Sequence, residues 1–214
     1  MATARGSPEL GLTRRGSTGV ARIVPSRSRR KWLTERAEAL DEIEAAHRAV
    51  GGRRRRHAAQ QVNQAYTLLL SSHFQGLCRD LYCEAADHLV AQLAPPAPLW
   101  WVVREQFTVG LKLNHGNPTP GNLGADFGRL GFKLWHELAL QDARSAGRKL
   151  RLKALCDWRN AIAHHDFDPG KLDERTRVRL ADVRSWRSAC TALAASLDAV
   201  VRDQLHALVG VAPW

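Results

Sequence analysis

The sequence of 214 residues lacks any apolar stretch long enough to span a membrane, which takes about 18 or more consecutive apolar residues. Its N-terminus also lacks the apolar segment of a secretion signal. Residues 1–31 are rich in arginine and serine and poor in acidic residues, as organellar transit peptides are, but nothing else in the chain indicates import. We therefore expect a cytoplasmic protein without a membrane partner.

The chain also lacks the residue spacings that hold a metal or a disulfide framework. No Cys-x-x-Cys pair occurs, and the cysteines fall on apolar helical patterns, which indicates reduced core residues. They are Cys78, Cys83, Cys156 and Cys190. His136-Glu137 begins like a zinc-protease helix, but Leu140 occupies the position of the second histidine. We predict neither a metal nor a cofactor.

Positive charge is abundant but is confined to two segments. The net charge is +11, and residues 1–31 contribute +7 of it, because eight arginines and lysines there face a single acid. The second segment, which contributes +4, consists of Arg53, Arg54, Arg55 and Arg56. These four arginines lead directly into a predicted helix, so we predict that they bind nucleic acid. Residues 1–31 are predicted to form a flexible basic tail, which either contacts the same partner or is only disordered.

Apolar residues recur at helical spacing along most of the chain, and no β-type alternation of Val, Ile and Thr occurs. The predicted helices cover residues 32–50, 57–93 and 126–143, a segment from about residue 148, and a last segment from residue 180. Residues 99–113 are ambiguous between helix and strand, and residues 114–122 are predicted to be a loop. The predicted fold is an all-α, up-and-down helical bundle over residues 32–214, preceded by the tail.

Three apolar features need a partner surface. Trp100-Trp101 has equally apolar neighbours, so we expect it in the core or in an interface. The helix from about residue 148 carries a stripe that orients it against the core, formed by Leu152, Leu155, Trp158 and Ile162. The last helix carries a longer stripe, formed by Leu180, Val183, Trp186, Cys190, Leu193, Leu197, Val200 and Leu208.

The stretch with the most chemical potential is Arg159-Asn160-Ala161-Ile162-Ala163-His164-His165-Asp166-Phe167. A histidine can accept a hydroxyl proton near neutral pH, and an arginine can hold a phosphate. Asn160 and His164 are four residues apart and share a helix face, whereas Arg159 and His164 diverge by about 140°. Residues 166–170 end the helix just after the histidines. This geometry suits a site at a helix end or across a dimer interface.

The Arg-Asn-x-x-x-His pattern resembles the signature of HEPN domains, which are helical, dimeric and often metal-independent endoribonucleases. Residues 66–81 are similar to the first long helix of the RiboL-PSP-like HEPN group, and the resemblance extends over about residues 57–205. It implies that His164 is the catalytic group and Arg159 its partner, with Asn160 in the polar second position. His165 is an auxiliary candidate that could protonate the leaving oxygen or bind phosphate.

Asp166 is a further auxiliary candidate, and it marks a departure from part of the family. HEPN toxins that are silenced by nucleotide transfer carry a tyrosine at this position, so the resemblance argues against that form of silencing. Inhibition by another partner protein stays open.

The resemblance implies a homodimeric RNA-cleaving enzyme that forms a 2′,3′-cyclic phosphate, in a toxin or antiphage defence role. The first alternative is a non-catalytic HEPN-like module that binds RNA or a protein. The second is a solvated helix end, where cations favour the negative end of the dipole.

Overall fold

The computed structural model describes residues 24–50 and 56–214, and within these ranges every regular element is helical. The predicted all-α fold is therefore confirmed. The helices are α1 (Arg27–Lys31), α2 (Ala37–Ala49), α3 (Arg56–Leu93), α4 (Trp100–Thr108), α5 (Lys112–His115), α6 (Pro120–Gly128), α7 (Leu134–Gln141), α8 (Ser145–His164) and α9 (Leu180–Val209). A π-helical turn, Trp32–Arg36, joins α1 to α2, and 3₁₀ turns lie at Ala97–Leu99 and Pro169–Lys171.

The α1–α2 segment and α3 run antiparallel. At one end of the pair, the Arg36 guanidinium donates to Asp80 at 2.6 Å. At the other end, the Tyr66 hydroxyl donates to Glu44 at 3.2 Å. Residue numbers thus rise along one segment as they fall along the other, as in an up-and-down bundle.

Helix α8 is antiparallel to α9, because Arg148 contacts Ser196 while the Trp158 ring lies 6.4 Å from that of Trp186. Helix α9 runs parallel to α3, as two polar contacts show. The Arg187 guanidinium donates to the Tyr66 hydroxyl at 3.1 Å, and a His88 ring nitrogen lies 3.1 Å from the carbonyl oxygen of Val211. Consequently α3 and α9 begin at the same end of the bundle at which α2 and α8 end.

The core lies between α3, α8 and α9. Its largest completely enclosed side chains include Trp158, Tyr66, Tyr82, Phe74 and Phe127. All four residues of the predicted α8 stripe are buried, and so is the α9 stripe from Val183 to Val200. Leu208 was expected to belong to that stripe but is 63% exposed, because it lies in the last turn of α9.

The N-terminal boundary of the helical domain differs from the predicted one. A helix was expected from residue 32, but it begins at Arg27, so residues 27–31 are not a flexible tail. The reason is tertiary: the Glu84 carboxylate on α3 accepts the backbone N–H groups of Arg27 and Ser28, and Asp198 on α9 accepts that of Ser26. These carboxylates bind N–H groups that a helix start leaves without partners. Residues 1–23 lie outside the described ranges.

The segment between α3 and α8 is more finely divided than predicted. The single helix expected over residues 126–143 is wrong, because α6 ends at Gly128 and Gly131 has a positive φ of 94° before α7 begins. The predicted loop 114–122 is shorter, since α5 extends into it and α6 starts at Pro120 after the Thr119 cap. The ambiguous segment 99–113 forms helices and no strand, with α4 and the start of α5 separated by a turn at residues 109–111.

Several apolar side chains remain at the surface of α4. Trp101 is 69% exposed, so its expected place in the core is wrong, while its role in an interface stays a prediction. Trp100 is partly buried and packs edge-on against Trp101, with the Arg104 guanidinium 5.9 Å from its ring centre. Among the helices of the two described ranges, none has the length and apolarity needed to cross a membrane.

Candidate functional site

Helix α8 presents the sequence motif at one end of the bundle. It ends where the sequence predicts, because His165 adopts a left-handed conformation with φ of 53°. The backbone N–H of His165 donates to Ile162, and that of Asp166 donates to Ala161 at 3.0 Å. This pair of contacts is a Schellman motif. His164 is the last residue of the helix, so the two neighbouring imidazoles are attached to different backbone conformations.

His164 is exposed and lines a groove of about 850 Å³ between α8 and residues 166–173. Asn160 lines the same groove, as expected for two residues one helical turn apart. Ala161 and Trp158 from α8, together with the buried Leu172, also line it. Arg159 does not, so a single chain does not place all three predicted catalytic residues in one groove.

The Asn160 amide connects the predicted residues. Its oxygen accepts a hydrogen bond from the Arg159 guanidinium at 3.4 Å and another from the Asn117 side chain. Arg159 is partly buried beside the groove, whereas Asn160 is exposed. Two donors thus orient the Asn160 oxygen, and its amide nitrogen remains available to an acceptor such as a phosphate oxygen.

Asn117 is a site residue that the sequence did not reveal. It lies in the short connection between α5 and α6, and its contact with Asn160 spans 43 positions, so no local pattern could predict it. Its carbonyl oxygen accepts from the Asn122 side chain at 2.8 Å. A Cβ atom at Gly116 would lie 3.0 Å from that same amide nitrogen, so a larger residue here would have to displace the Asn122 side chain.

A buried carboxylate holds the base of this connection. Asp126 on α6 accepts the backbone N–H groups of Lys112 and Leu113 at 2.9 and 2.8 Å. The Gln75 side chain on α3 donates to the Leu113 carbonyl oxygen at 2.7 Å. Helix α5 has no side-chain cap of its own, so Asp126 serves as its cap from another helix. This anchor fixes the connection that carries Asn117.

The two predicted auxiliary residues separate. Asp166 lines the groove, and its carboxylate lies 3.5 Å from the Lys171 ammonium, which is also 3.5 Å from Asp168. Attraction to Asp166, and then to Asp168, raises the pKa of Lys171. His165 does not line the groove and instead packs edge-on against Phe167, with ring centres 6.3 Å apart.

The charges that line the His164 groove nearly cancel. Lys153 and Lys171 supply two positive charges, and Asp157, Asp166 and Asp173 supply three negative ones. Lys153 donates to Asp157 at 2.7 Å, and this hydrogen bond raises the pKa of Lys153. The groove therefore has no excess positive charge with which to attract a polyanion.

A second cleft, of about 570 Å³, lies at the same end of the bundle. We call it the arginine cleft; its polar lining consists of His47, Arg56, Gln60, Asn63, Arg175, Thr176, Arg177 and Arg179. Of the four arginines predicted to bind nucleic acid, Arg56 is the first residue of α3 and lines this cleft. Arg53, Arg54 and Arg55 lie outside the described residues.

The other three arginines of the cleft were missed by sequence reasoning. They come from the connection between α8 and α9 and occupy every second position from Arg175 to Arg179. This concentration of three arginines within five residues was a usable signal of a basic surface. The site residues and the basic cleft thus share one structural element, the α8–α9 connection.

Comparison with family models, curated proteins and solved structures finds no match for this chain. The resemblance to HEPN domains therefore stays a prediction that rests on the motif and on the long helix upstream of it. Within residues 24–50 and 56–214, no three His, Cys, Asp or Glu side chains are placed to hold a metal ion. Chemically, the groove offers an exposed imidazole, an oriented amide and a neighbouring guanidinium.

Proposed function

We propose that this protein is a metal-independent endoribonuclease with His164 as its base. The observation that carries the proposal is the exposed imidazole of His164 in a groove shared with Asn160, whose amide is bound by Arg159. A neutral imidazole accepts the proton of a ribose 2′-hydroxyl near neutral pH. The oxygen then attacks the adjacent phosphorus and expels the 5′-oxygen, which takes up a proton. The products are a 2′,3′-cyclic phosphate and a 5′-hydroxyl.

Arg159 and Asn160 have complementary roles in this mechanism. The guanidinium stabilises the negative charge that develops on the phosphate oxygens, and its planar fork suits that geometry. The Asn160 amide nitrogen donates to one of the same oxygens. An oriented donor at this position lowers the barrier because it needs no rearrangement during the reaction.

The proposed active form is a homodimer, because Arg159 lies outside the groove that contains His164 of the same chain. A two-fold axis near the end of α8 would bring the Arg159 guanidinium of a second copy to each groove, where it completes a site with His164 and Asn160. Leu150 supports this arrangement, since it lines the groove and is 68% exposed. A second copy would cover that side chain.

The biological role that we propose follows the resemblance: a toxin or antiphage effector that cleaves cytoplasmic RNA and is restrained by an inhibitory or regulatory protein.

A non-catalytic RNA-binding module is the second candidate, and the arginine cleft favours it. Four arginines and no carboxylate line that cleft, whereas the charges that line the His164 groove nearly cancel. A protein that only binds RNA would need the cleft and not the imidazole.

The decisive experiment is cleavage of end-labelled RNA in EDTA, with analysis of the product ends. We expect a 2′,3′-cyclic phosphate, and we expect His164→Ala to lower the rate by roughly 10²–10⁴-fold, the usual contribution of a positioned acid or base. His165→Ala is the matched control and should cost much less, because His165 lies outside the groove. Unchanged cleavage in His164→Ala would refute the assignment. No cleavage by the unmodified protein would leave the binding module as the better reading.

Mixing two inactive variants tests the shared site. If Arg159 and His164 act across the dimer axis, His164→Ala and Arg159→Ala protomers should together recover about a quarter of the activity, from the one intact site in each mixed dimer. Arg159→Lys should remain impaired, because it keeps the charge but loses the fork. No recovery on mixing would place both groups of each site in one chain.

A further inference from the structure

The arginine cleft has the features of a built binding site for phosphate groups. Arg56 comes from the start of α3, and Arg177 and Arg179 come from the connection that precedes α9. No carboxylate is among the residues that line the cleft. Of these two sites, the cleft is therefore the one that attracts a polyanion, because the charges that line the His164 groove nearly cancel.

The arginines of the cleft differ in how far their charges are already compensated. Arg175 contacts Asp182 at 2.9 Å and Asp173 at 3.5 Å, so its charge is largely satisfied within the protein. Within the described ranges, no carboxylate forms an ion pair with Arg56, Arg177 or Arg179. These three guanidinium groups are exposed and available to an external anion.

Buried contacts hold the arginines in place. Val178 is completely enclosed, and its carbonyl oxygen accepts from the Asn63 side chain at 3.2 Å. The Gln60 amide also faces the Val178 backbone. In the amide orientation that satisfies both groups, its nitrogen donates to the Val178 carbonyl oxygen at 3.1 Å and its oxygen accepts from the Val178 N–H at 3.3 Å. Val178 is buried, whereas Arg177 and Arg179 on either side of it are exposed, so the anchored backbone leaves both arginines at the surface. The two guanidinium groups are thus presented by a fixed backbone.

An unpaired buried acceptor points to the kind of ligand. Asn63 is 7% exposed, its nitrogen binds Val178, and its oxygen Oδ1 has no hydrogen-bond partner. Buried side-chain oxygens are normally paired, and Asn63 lines the cleft, so a donor on a ligand bound there would pair this oxygen. Bare phosphodiester groups have no donor, whereas a nucleotide carries N–H groups on its base and hydroxyls on its ribose. The cleft therefore combines phosphate-binding guanidinium groups with an acceptor suited to a nucleoside.

We infer that the arginine cleft binds the backbone of a single-stranded RNA and holds it as a substrate exosite for the His164 groove; in this respect the inference rests on the proposed function. The two sites share the α8–α9 connection, with residues 170–173 lining the groove and residues 175–180 lining the cleft. A strand that crosses this connection contacts both. The cleft captures the RNA through its phosphates, and the groove carries out the chemistry.

The test measures RNA binding separately from cleavage. A fluorescein-labelled, single-stranded RNA oligonucleotide is titrated with the His164→Ala protein at several salt concentrations, and anisotropy gives the dissociation constant. Adding Arg177→Ser and Arg179→Ser should weaken binding and lower the slope of log affinity against log salt by about 1.4, since each lost phosphate contact removes about 0.7 for a single strand. Arg56→Ser, on the other wall, should lower it by about half as much.

The matched control removes the same charge elsewhere. Arg144→Ser with Arg151→Ser changes two exposed arginines, one just before α8 and one in its first half, away from the end at which the cleft lies. This control should leave the salt slope unchanged. Equal effects of the two double variants, or none from the cleft variant, would overturn the exosite. Competition by adenosine monophosphate at the same concentration as the oligonucleotide would also overturn it, in favour of a free-nucleotide site.

Cleavage by the otherwise unmodified protein then gives an independent readout. The cleft variant should raise KM and retain most of the rate at saturating RNA. If the cleft variant changes the salt slope but no form of the protein cleaves RNA, the proposed nuclease is refuted and the RNA-binding cleft remains. Failure of the nuclease and failure of the exosite therefore give different results.

Discussion

Replacing Asp126 by asparagine should weaken both the fold and the candidate site. The carboxylate is 2% exposed, and each of its oxygens accepts one backbone N–H, from Lys112 and from Leu113. Asparagine has nearly the same shape but only one acceptor oxygen, and its amide nitrogen is a donor. One of the two backbone N–H groups at the start of α5 would therefore face another donor.

The expected loss can be worked out from these two contacts. A buried donor left without a partner costs about 1–3 kcal/mol, and the remaining hydrogen bond loses roughly 1 kcal/mol when its acceptor is no longer charged. We expect Asp126→Asn to lower the free energy of unfolding by about 2–4 kcal/mol. The matched control is Asp203→Asn, since Asp203 is 58% exposed and, within residues 24–50 and 56–214, pairs only with its neighbour Arg202. That change should cost less than about 0.5 kcal/mol.

Urea denaturation, monitored by the circular dichroism of the helices, gives the free energy of unfolding of both variants. The comparison holds if the slope of this free energy against urea concentration is the same for both. Hydrogen exchange adds a local readout: the Lys112 and Leu113 amides should exchange faster in Asp126→Asn than in the control. RNA cleavage should fall as well, because the loosened connection carries Asn117. A stability loss no larger than that of Asp203→Asn would show that Asp126 does not cap α5.

Two further predictions concern titratable groups. A hydrogen bond from Arg184 is the main cause that lowers the pKa of Glu44 below its ordinary value of 4.5. A carboxylate with a lowered pKa stabilises the fold above its unfolded pKa, and this contribution is lost as the pH falls through the folded pKa. We expect Glu44→Gln to lower the free energy of unfolding by about 0.5–1 kcal/mol at pH 7. This loss should shrink below pH 4.5. Unfolding at pH 7 and pH 3 checks this, and an equal deficit at both would contradict it. Burial raises the pKa of the Cys190 thiol, and it raises that of the Cys156 thiol to about 12. Cys83 is only partly buried, so a reagent can reach it more readily. Cys83 should therefore react first with a thiol reagent in the native protein, with the others reacting only in urea; equal native rates would contradict the packing.

The long helices were predictable because their signals are local. Helix α3 covers residues 56–93 where 57–93 were expected, bounded by a glycine pair and a proline cluster. Helix α8 ends at the expected position, since Pro169 and Gly170 follow it closely. In both, the apolar spacing extends over many turns, so the core contacts reinforce the local preference.

Elements that depend on distant contacts were not predictable. The first turns of α1 are stabilised by Glu84 and Asp198, which lie far along the chain. The break between α6 and α7 depends on the left-handed Gly131, whereas the apolar spacing of this region alone favours one continuous helix. A glycine in a helical pattern is a weak signal by itself, because helices tolerate it at a cost of about 1 kcal/mol.

In the candidate site, too, the local features were predictable and those that depend on distant contacts were not. Helical spacing alone was enough to place Asn160 and His164 on one face. It could not reveal Asn117, whose side chain arrives from another connection, nor the position of Arg159 outside the groove. The arginine cleft was predictable only in part. Arg56 was among the predicted arginines, but Arg177 and Arg179 line the same cleft because α3 and α9 start at the same end of the bundle, which the sequence did not reveal.

The α8–α9 connection is longer than the bundle itself requires. Two antiparallel helices are usually joined by about 2–8 residues, whereas residues 165–179 separate these two. Leu172 and Val178 are buried, so the connection is anchored to the bundle at two points. The polar residues around the first anchor line the His164 groove, and those around the second line the arginine cleft. Ordering a long connection costs more conformational entropy than ordering a short turn. This connection is anchored twice and contributes residues to two different sites, as functional segments often do. This is the physical reason to seek the substrate path across residues 165–179.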